Sequence, residues 1–266
     1  MRFKSLPGKW TQLCHAPPGL WWPFIHGWLR RRENQFVPCV IPGCDRLLKV
    51  PLREFYESYW FFCEYPEGRR EVSYFLGKLK PHEIFYDVGG FRGAYSVAAK
   101  LKLQDKISVH VFEPLAINVE AIRRVCEFNA FNDVKINAFA VGDGSPLGGG
   151  INEEDAMLRL GDTKATTKAE FVSISLDKYI EQGASVPTVV KIDVEGFELQ
   201  VLHGARQCLA QNHPRLWLEI HPKFLGAQGK SPDDALKLLR ANGYSFFYFN
   251  DLSLPESKVS HHIWCE

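Results

Sequence analysis

Hydrophobic positions change rhythm near residue 84. Before it, aromatic residues and prolines are frequent but follow no single period. Within 46–80, Val72, Phe75, Leu76 and Leu79 recur at helical spacing, which predicts a short strand followed by one or two helices. After it, apolar runs alternate with amphipathic stretches. "IFYDV" (84–88) predicts a buried strand and "GAYSVAAKLK" a helix that starts at a glycine-rich mouth. "ISVHVFEP" (107–114) predicts a second strand, stopped by Pro114. Residues 116–132 predict a helix with Ile122, Val125, Cys126 and Asn129 on one face, and "VKINAFAVG" (134–142) a third strand.

Residues 143–170 break this rhythm with glycines and charges and are long enough for a functional loop or hairpin. "FVSISLDKYIEQG" then predicts a strand and a short helix. "TVVKIDVEGF" (188–197) predicts a strong strand, 198–212 its helix and "RLWLEIHP" (215–222) another strand. In 231–243, Ser231 stands at the N-cap, Pro232 at the first helical position and Gly243 past the end. "YSFFYFN" and "SHHIWC" read as two terminal strands, antiparallel to each other. Helices placed between strands argue for an α/β, doubly wound fold, a parallel sheet covered on both faces. The expected division is an N-terminal extension over 1–80, shaping the acceptor site, and a main domain over 81–266.

Composition narrows the function classes. A length of 266 residues with 45% hydrophobic content suits one large α/β domain carrying an extension. A formal net charge of +1 gives no electrostatic pull toward nucleic acid, and Arg30 to Arg32 read as a solvated helix end. The seven cysteines are scattered, and only Cys39 and Cys44 lie close, with no second ligand pair at zinc spacing. No cysteine metal centre is expected, Asp193, Glu195 and His221 could hold a hard cation, and a reducing, cytoplasmic setting fits best. The Trp-rich segment 19–29 is interrupted by Pro23 and His26 and falls short of the roughly 20 apolar residues a membrane span needs. It is read as packing on the domain, with peripheral membrane contact as the alternative.

The strand ends carry the chemistry. "DVGGFRG" places Asp87 two residues before Gly89, followed by Gly90 and Gly93. Glycines at a strand's carboxyl end let the backbone turn and let a ligand approach closely. The spacing is not the G-x-G-x-x-G of a dinucleotide site, and an acid there would oppose a pyrophosphate. It would suit a cation such as an amino group or a sulfonium. Glu113, ending the next strand, is placed to accept hydrogen bonds from a ribose diol. Ribose plus an amino-acid cation without pyrophosphate describes S-adenosylmethionine. Asp143, after the third strand, falls where an adenine ring would lie.

"VVKIDVEGFELQ" alternates Lys191, Asp193 and Glu195, which share one face if the strand continues to Glu195. Charges rarely occupy a central parallel strand unless paired or functional. Glu198 has a structural explanation in the helix dipole. Glu219 and His221 reach the same edge. A base is needed to take an acceptor's proton, and His221 or Asp193 fills that role.

Three stretches, "FYDVGGFRGAYS", the run from "VFEP" to "AVGD", and "SLDKYI…VVKIDVEGFELQVLHGA…LWLEIHP", resemble the FkbM-type S-adenosylmethionine-dependent methyltransferases. A weaker echo lies in "LLKVPLREF". The resemblance implies a Rossmann-like, seven-stranded, mostly parallel sheet with an antiparallel last strand. It carries over Asp87, Gly89, Gly93 and Glu113 as cofactor contacts, and Asp193 and Glu195 as mouth residues near the acceptor. It also implies O-methylation of a small-molecule or glycan hydroxyl. Gly90, Phe91 and Arg92 depart from the family's Ala-Asn after the first glycine. A non-catalytic nucleoside-binding member and a nicotinamide-dependent oxidoreductase are the rival readings.

Overall fold

The computed structural model describes residues 35–152, 157–159, 167–248 and 261–266; the 19–29 segment and Arg30 to Arg32 lie outside them. The described chain opens with an antiparallel hairpin, β1 (Phe36–Val40) and β2 (Leu47–Pro51). Helix α1 (52–64) follows, with its middle, Phe55–Tyr59, wound as a π-helix. Helix α2 (Pro66–Lys78) has proline at its first position, Glu67 in its first turn and Lys78 in its last, each favoured there by the helix dipole or by proline's fixed φ.

The regular part begins with β3 (Glu83–Val88), α3 (Ala94–Leu103), β4 (Ile107–Phe112), α4 (Ala116–Phe128) and β5 (Lys135–Asn137). Then come β6 (Ala140–Val141), β7 (Pro146–Asn152), β8 (Met157–Arg159), β9 (Thr167–Ile174) and α5 (Leu176–Glu181). The chain returns through β10 (Val189–Ile192), α6 (Glu198–His203), β11 (Arg215–Ile220), α7 (Pro222–Gly226), α8 (Pro232–Ala241), β12 (Phe246–Tyr248) and β13 (His261–Cys265).

Among the described residues the main sheet runs β12-β13-β11-β10-β3-β4-β5. It is mixed: β13 lies antiparallel to both β11 and β12, and the other pairs are parallel. Strand order reverses between β3 and β10, which makes their carboxyl ends the place where a ligand crevice opens. Side chains alternate as the pleat requires. Phe85, Val189 and Trp217 enter one core, and Tyr86, Val190 and Leu216 the other. The first core also takes Leu48, Val50, Tyr59, Val72 and Phe75, so residues 35–80 bury their apolar side against the sheet.

Two strands differ from the sequence reading. The single strand expected over 134–142 is divided. Asn137 turns its amide to the Val111 carbonyl (3.1 Å), Phe139 packs on Phe112 (5.7 Å), and β6 leaves to join a second sheet, β6-β9-β7-β8. That sheet is built from the glycine-rich segment after residue 143 and from the strand of "FVSISLDKYIEQG". The strand expected over 188–197 stops at Ile192, because Glu195 (φ 51°) and Gly196 (φ 103°) both take left-handed backbone. No helix among the described residues is long and apolar enough to cross a membrane.

The turn after β3 meets the turn after β10 at Gly89. Its φ is 75°, and a Cβ added there would lie 1.8 Å from the Asp193 carbonyl oxygen, a rigid backbone atom. Gly89→Ala is therefore expected to destabilise the fold by about 3 kcal/mol or more in denaturant titration. Gly144, with φ 96° and nothing within 4 Å, should lose only about 1–2 kcal/mol on the same change.

Candidate active site

A cavity of about 410 Å³ opens where β3, β4 and β10 end; Val88, Gly89, Phe112, Glu113 and Asp193 stand on its wall. Its size is that of a small-molecule site. The loop after β3 supplies one side. Asp87 itself is fully buried and is not on the wall. One of its oxygens accepts from the Ser96 amide (3.2 Å) and hydroxyl (2.7 Å) in the first turn of α3, and the other lies 3.3 Å from Lys191 Nζ. The sequence placed Asp87 against a cationic ligand; the structure gives it a protein cation and a helix start instead.

The glycines divide in the same way. Gly89 faces the cavity. Gly90 lies against Val111, where a Cβ would come within 2.2 Å of Cγ2, and at Gly93 (φ 81°) an added Cβ would lie 3.0 Å from Ile122 Cγ1. Neither lines the cavity. Phe91 (φ 47°) aims its amide at Glu113 Oε2 (2.9 Å), and the Tyr59 hydroxyl of α1 donates to the Arg92 carbonyl (2.9 Å).

Glu113 is on the wall and 5% exposed. Its Oε1 accepts from the Leu115 amide (3.0 Å) and the Asn118 amide group (3.1 Å). A carboxylate offers about four acceptor positions, so with Phe91 three are taken and one is left for a ligand hydroxyl. Burial pushes its pKa up to about 7, against the pull of the bonds from Leu115, Asn118 and Phe91. Asp143 is exposed, and its Oδ1 accepts from the Ser145 amide (3.0 Å) and hydroxyl. It is not on the wall, although Ala140 and Val141 just before it are.

The third side comes from β10 and its turn, where Asp193 and Glu195 line the cavity. Lys191, 3% exposed, sits behind them with Nζ 3.2 Å from Asp193 Oδ2, 3.3 Å from Asp87 Oδ1 and 3.2 Å from the Gly89 carbonyl. Burial alone would lower its pKa, but Asp193 and Asp87 outweigh it and hold the ammonium charged. Burial and the adjacent Glu219 charge push the Asp193 carboxyl up, with Lys191 pulling back.

His221, at the end of β11, is ringed by acids. Nδ1 lies 2.6 Å from Glu198 Oε1, and Nε2 lies 3.4 Å from Glu219, 3.8 Å from Glu195 and 4.0 Å from Asp193. Burial would lower its pKa; the bonds to Glu198 and Glu219 and the Asp193 charge reverse this and raise it to about 11. His221 is thus an imidazolium at neutral pH, and it stands behind the wall rather than on it. His262 of β13 repeats the arrangement between Glu219 (3.0 Å) and Glu71 (3.3 Å), with its pKa raised to about 10 against the pull of burial. Asp193, Glu219 and His221 bring donor atoms within 4.8 Å of one another, a spacing open to a metal.

Asp193, Glu195 and His221 therefore converge, but through the left-handed turn at Glu195 and not through strand alternation. Sequence reasoning missed Glu198, which is fully buried and also accepts from the Gly196 amide (3.0 Å). Its place in a first helical turn concealed a second role as the partner of His221. The extension over 1–80 was expected to shape the acceptor site, but Trp60, Phe61 and Phe62 of α1, which line the cavity, were not singled out. Their only signal was an aromatic run without period.

Comparison with known proteins gives this geometry its context. Hexuronic acid methyltransferase AglP of Haloferax volcanii is 27% identical over 186 residues, covering 69% of this chain and 72% of that protein. The crystal structure of methyltransferase FkbM from Methylobacillus flagellatus superposes with a TM-score of 0.51 at 15% identity, over 80% of this chain and 54% of that one, so this chain spans about half its length. Residues 87–246, from the buried acid before the glycine loop to the first residue of β12, match the profile described as the methyltransferase FkbM domain, and the chain belongs to that family.

Proposed function

We propose that this protein transfers a methyl group from S-adenosylmethionine to a hydroxyl oxygen of a sugar, glycolipid or natural-product acceptor. The observation that carries this reading is the placement of Glu113 and of the pair Asp193 and Glu195 across one cavity at the strand-order switch. The residues fit the cofactor. Glu113 keeps one acceptor position for a ribose hydroxyl, and Phe112, Pro114 and Val141 offer apolar surface beside it for a base. Gly89, without a side chain, leaves room at the loop. Asp193 and Glu195 supply negative charge where a cationic sulfur would lie. The relative's name places its own acceptor among sugars, which supports a glycan-type substrate here.

S-adenosylmethionine supplies a methyl already activated on a positively charged sulfur, so the task left to the protein is alignment and proton removal. Asp193 and Glu195 are the wall carboxylates able to take the hydroxyl proton. His221 already carries its proton and cannot serve as that base. It acts as a positioning residue, an imidazolium behind the wall that keeps the surrounding carboxylates together. Lys191 fixes Asp193 Oδ2, and Asp193 Oδ1 lies 4.0 Å from His221 Nε2.

Calorimetric titration tests the cofactor. Micromolar binding of S-adenosylmethionine and S-adenosylhomocysteine is expected, and no binding at millimolar ligand would overturn the reading. Glu113→Gln should weaken S-adenosylhomocysteine about tenfold or more. The ionised carboxylate is the better acceptor, so wild-type affinity should rise as pH passes upward through about 7, and the variant should lose that rise. For catalysis, Asp193→Asn is expected to lower kcat about a hundredfold or more while leaving the S-adenosylhomocysteine Kd within a few-fold. Unchanged turnover in a methyl-label assay would remove Asp193 as the base, and tight cofactor binding with no transfer to any acceptor would favour a non-catalytic role. The raised pKa of His221 adds stability that is complete below about pH 6.5 and is lost as pH rises toward about 11. Thermal melts should therefore fall between pH 7 and 11 more steeply for wild type than for His221→Gln.

A further inference from the structure

Three donor groups meet at the inner edge of the cavity: Asp193 in the turn after β10, and Glu219 and His221 at the end of β11. His221 Nε2 stands 3.4 Å from Glu219 Oε1 and 4.0 Å from Asp193 Oδ1, and donor atoms of all three residues lie within 4.8 Å of one another. Neither oxygen is within the distance of about 2.7–3.2 Å at which an N–H donates well. Ligands held at about 2.0–2.2 Å by a single ion, in contrast, stand roughly 3–4 Å apart. The spacing around Nε2 is that of donors sharing an ion.

The other polar atom of each group is held by a residue outside the three. Lys191 Nζ lies 3.2 Å from Asp193 Oδ2, His262 Nε2 lies 3.0 Å from Glu219 Oε2, and His221 Nδ1 makes its 2.6 Å bond to Glu198 Oε1. A ligating histidine gives its second ring N–H to a carboxylate in this way, and ligating carboxylates are themselves held by donors. Glu198 adds an independent sign. It is fully buried and directed at His221, yet its Oε2 has no hydrogen-bond partner. A buried carboxylate oxygen without a donor is costly unless positive charge lies close by.

We propose that Asp193, Glu219 and His221 bind a divalent transition-metal ion, Mn²⁺ or Zn²⁺, at the inner edge of the cavity. Two carboxylates and one imidazole make a mixed set of hard and borderline donors. It suits these ions better than Mg²⁺ or Ca²⁺, which take oxygen ligands. His221 binds as the neutral imidazole. The ion takes the Nε2 electron pair, the proton carried there in the metal-free protein leaves to solvent, and Nδ1 keeps its own proton for Glu198. Three protein ligands leave coordination positions for water or for an oxygen from the cavity, which Asp193 borders. A hydroxyl bound there would lose its proton more readily, a consequence that rests on the methyl-transfer reading. Binding of the ion itself does not.

Titration of the full chain with Mn²⁺, after removal of metal with a chelator and without any histidine tag, tests the site with the metal alone. The paramagnetic resonance of free Mn²⁺ should fall as one ion per chain is taken up with micromolar Kd. The bound ion should show the nitrogen coupling of one imidazole in electron spin-echo spectra. Glu219→Gln and His221→Gln should each weaken binding about tenfold or more, and His221→Gln should also abolish the nitrogen coupling. The wild-type spectrum needs no variant to fold: bound Mn²⁺ without imidazole coupling overturns the proposal. So does the absence of binding at millimolar Mn²⁺ and Zn²⁺. Unchanged affinity in both variants, with native circular dichroism, would mark an ion held by surface acids only and overturns it as well. Failure to bind S-adenosylhomocysteine would instead overturn the methyl-transfer reading, so the two failures are distinguishable.

Discussion

The site is organised around one buried ammonium. Lys191 stands directly beside Asp87 in the parallel register of β10 and β3. Its head group joins Asp87, Asp193 and the Gly89 carbonyl within 3.3 Å. A buried cation is tolerated only when its charge and protons are met, and here its partners lie at two strand ends, Asp87 and Gly89 at the end of β3 and Asp193 after β10. Asp87 carries the effect to α3 through Ser96, Gly89 carries it to the loop, and Asp193 carries it to the cavity. Because Gly89 also packs on the Asp193 backbone, these two turns fit only one way.

A second layer of charge surrounds this centre. Four carboxylates, from Asp193, Glu195, Glu198 and Glu219, crowd around His221, and Glu219 passes the arrangement on to His262 and Glu71. Carboxylates this close would repel one another and take up protons unless cations lay between them. Against the push of burial, the His262 and His221 charges and their hydrogen bonds hold Glu219 well below the usual carboxylate range. A histidine at a strand end, the residue type most associated with proton transfer, is here enclosed by four carboxylates.

Much of the architecture was legible because it rests on periodicity. The apolar runs that became β3, β4, β10 and β11 alternate with helices, of which α3 opens on Gly93 and α6 closes on Gly204, and Ser231 does take the N-cap position, with its amide bonded to Asp234 (2.8 Å). What failed to show was backbone direction after a strand. Alternation of Lys191, Asp193 and Glu195 fits a continuing strand as well as it fits a left-handed turn, and only Gly196 hints at the turn. The glycines of the loop were read as ligand space, yet Gly90 and Gly93 are needed by Val111 and Ile122, side chains distant in sequence. Likewise Asp87 was read toward a ligand because its true partner, Lys191, arrives through pairing of β3 with β10.

The matched family segment begins at residue 87, whereas Ser58, Trp60, Phe61 and Phe62 lie before it. The cavity is thus assembled from two sources. The strand ends that bear Glu113, Asp193 and Glu195 lie inside the family segment, and the aromatic wall is brought by α1, whose apolar residues share the sheet's core. A family match constrains the first part and says little about the second. The helix docks by burial, by the hydroxyl bond from Tyr59 to the loop and by an ion pair between Glu54 and Arg124 (3.3 Å), so its own contacts hold it on the sheet. Evolution of specificity in this chain would then act on ring size and charge along a single helix face, without disturbing the buried lysine on which the loop and strand ends depend.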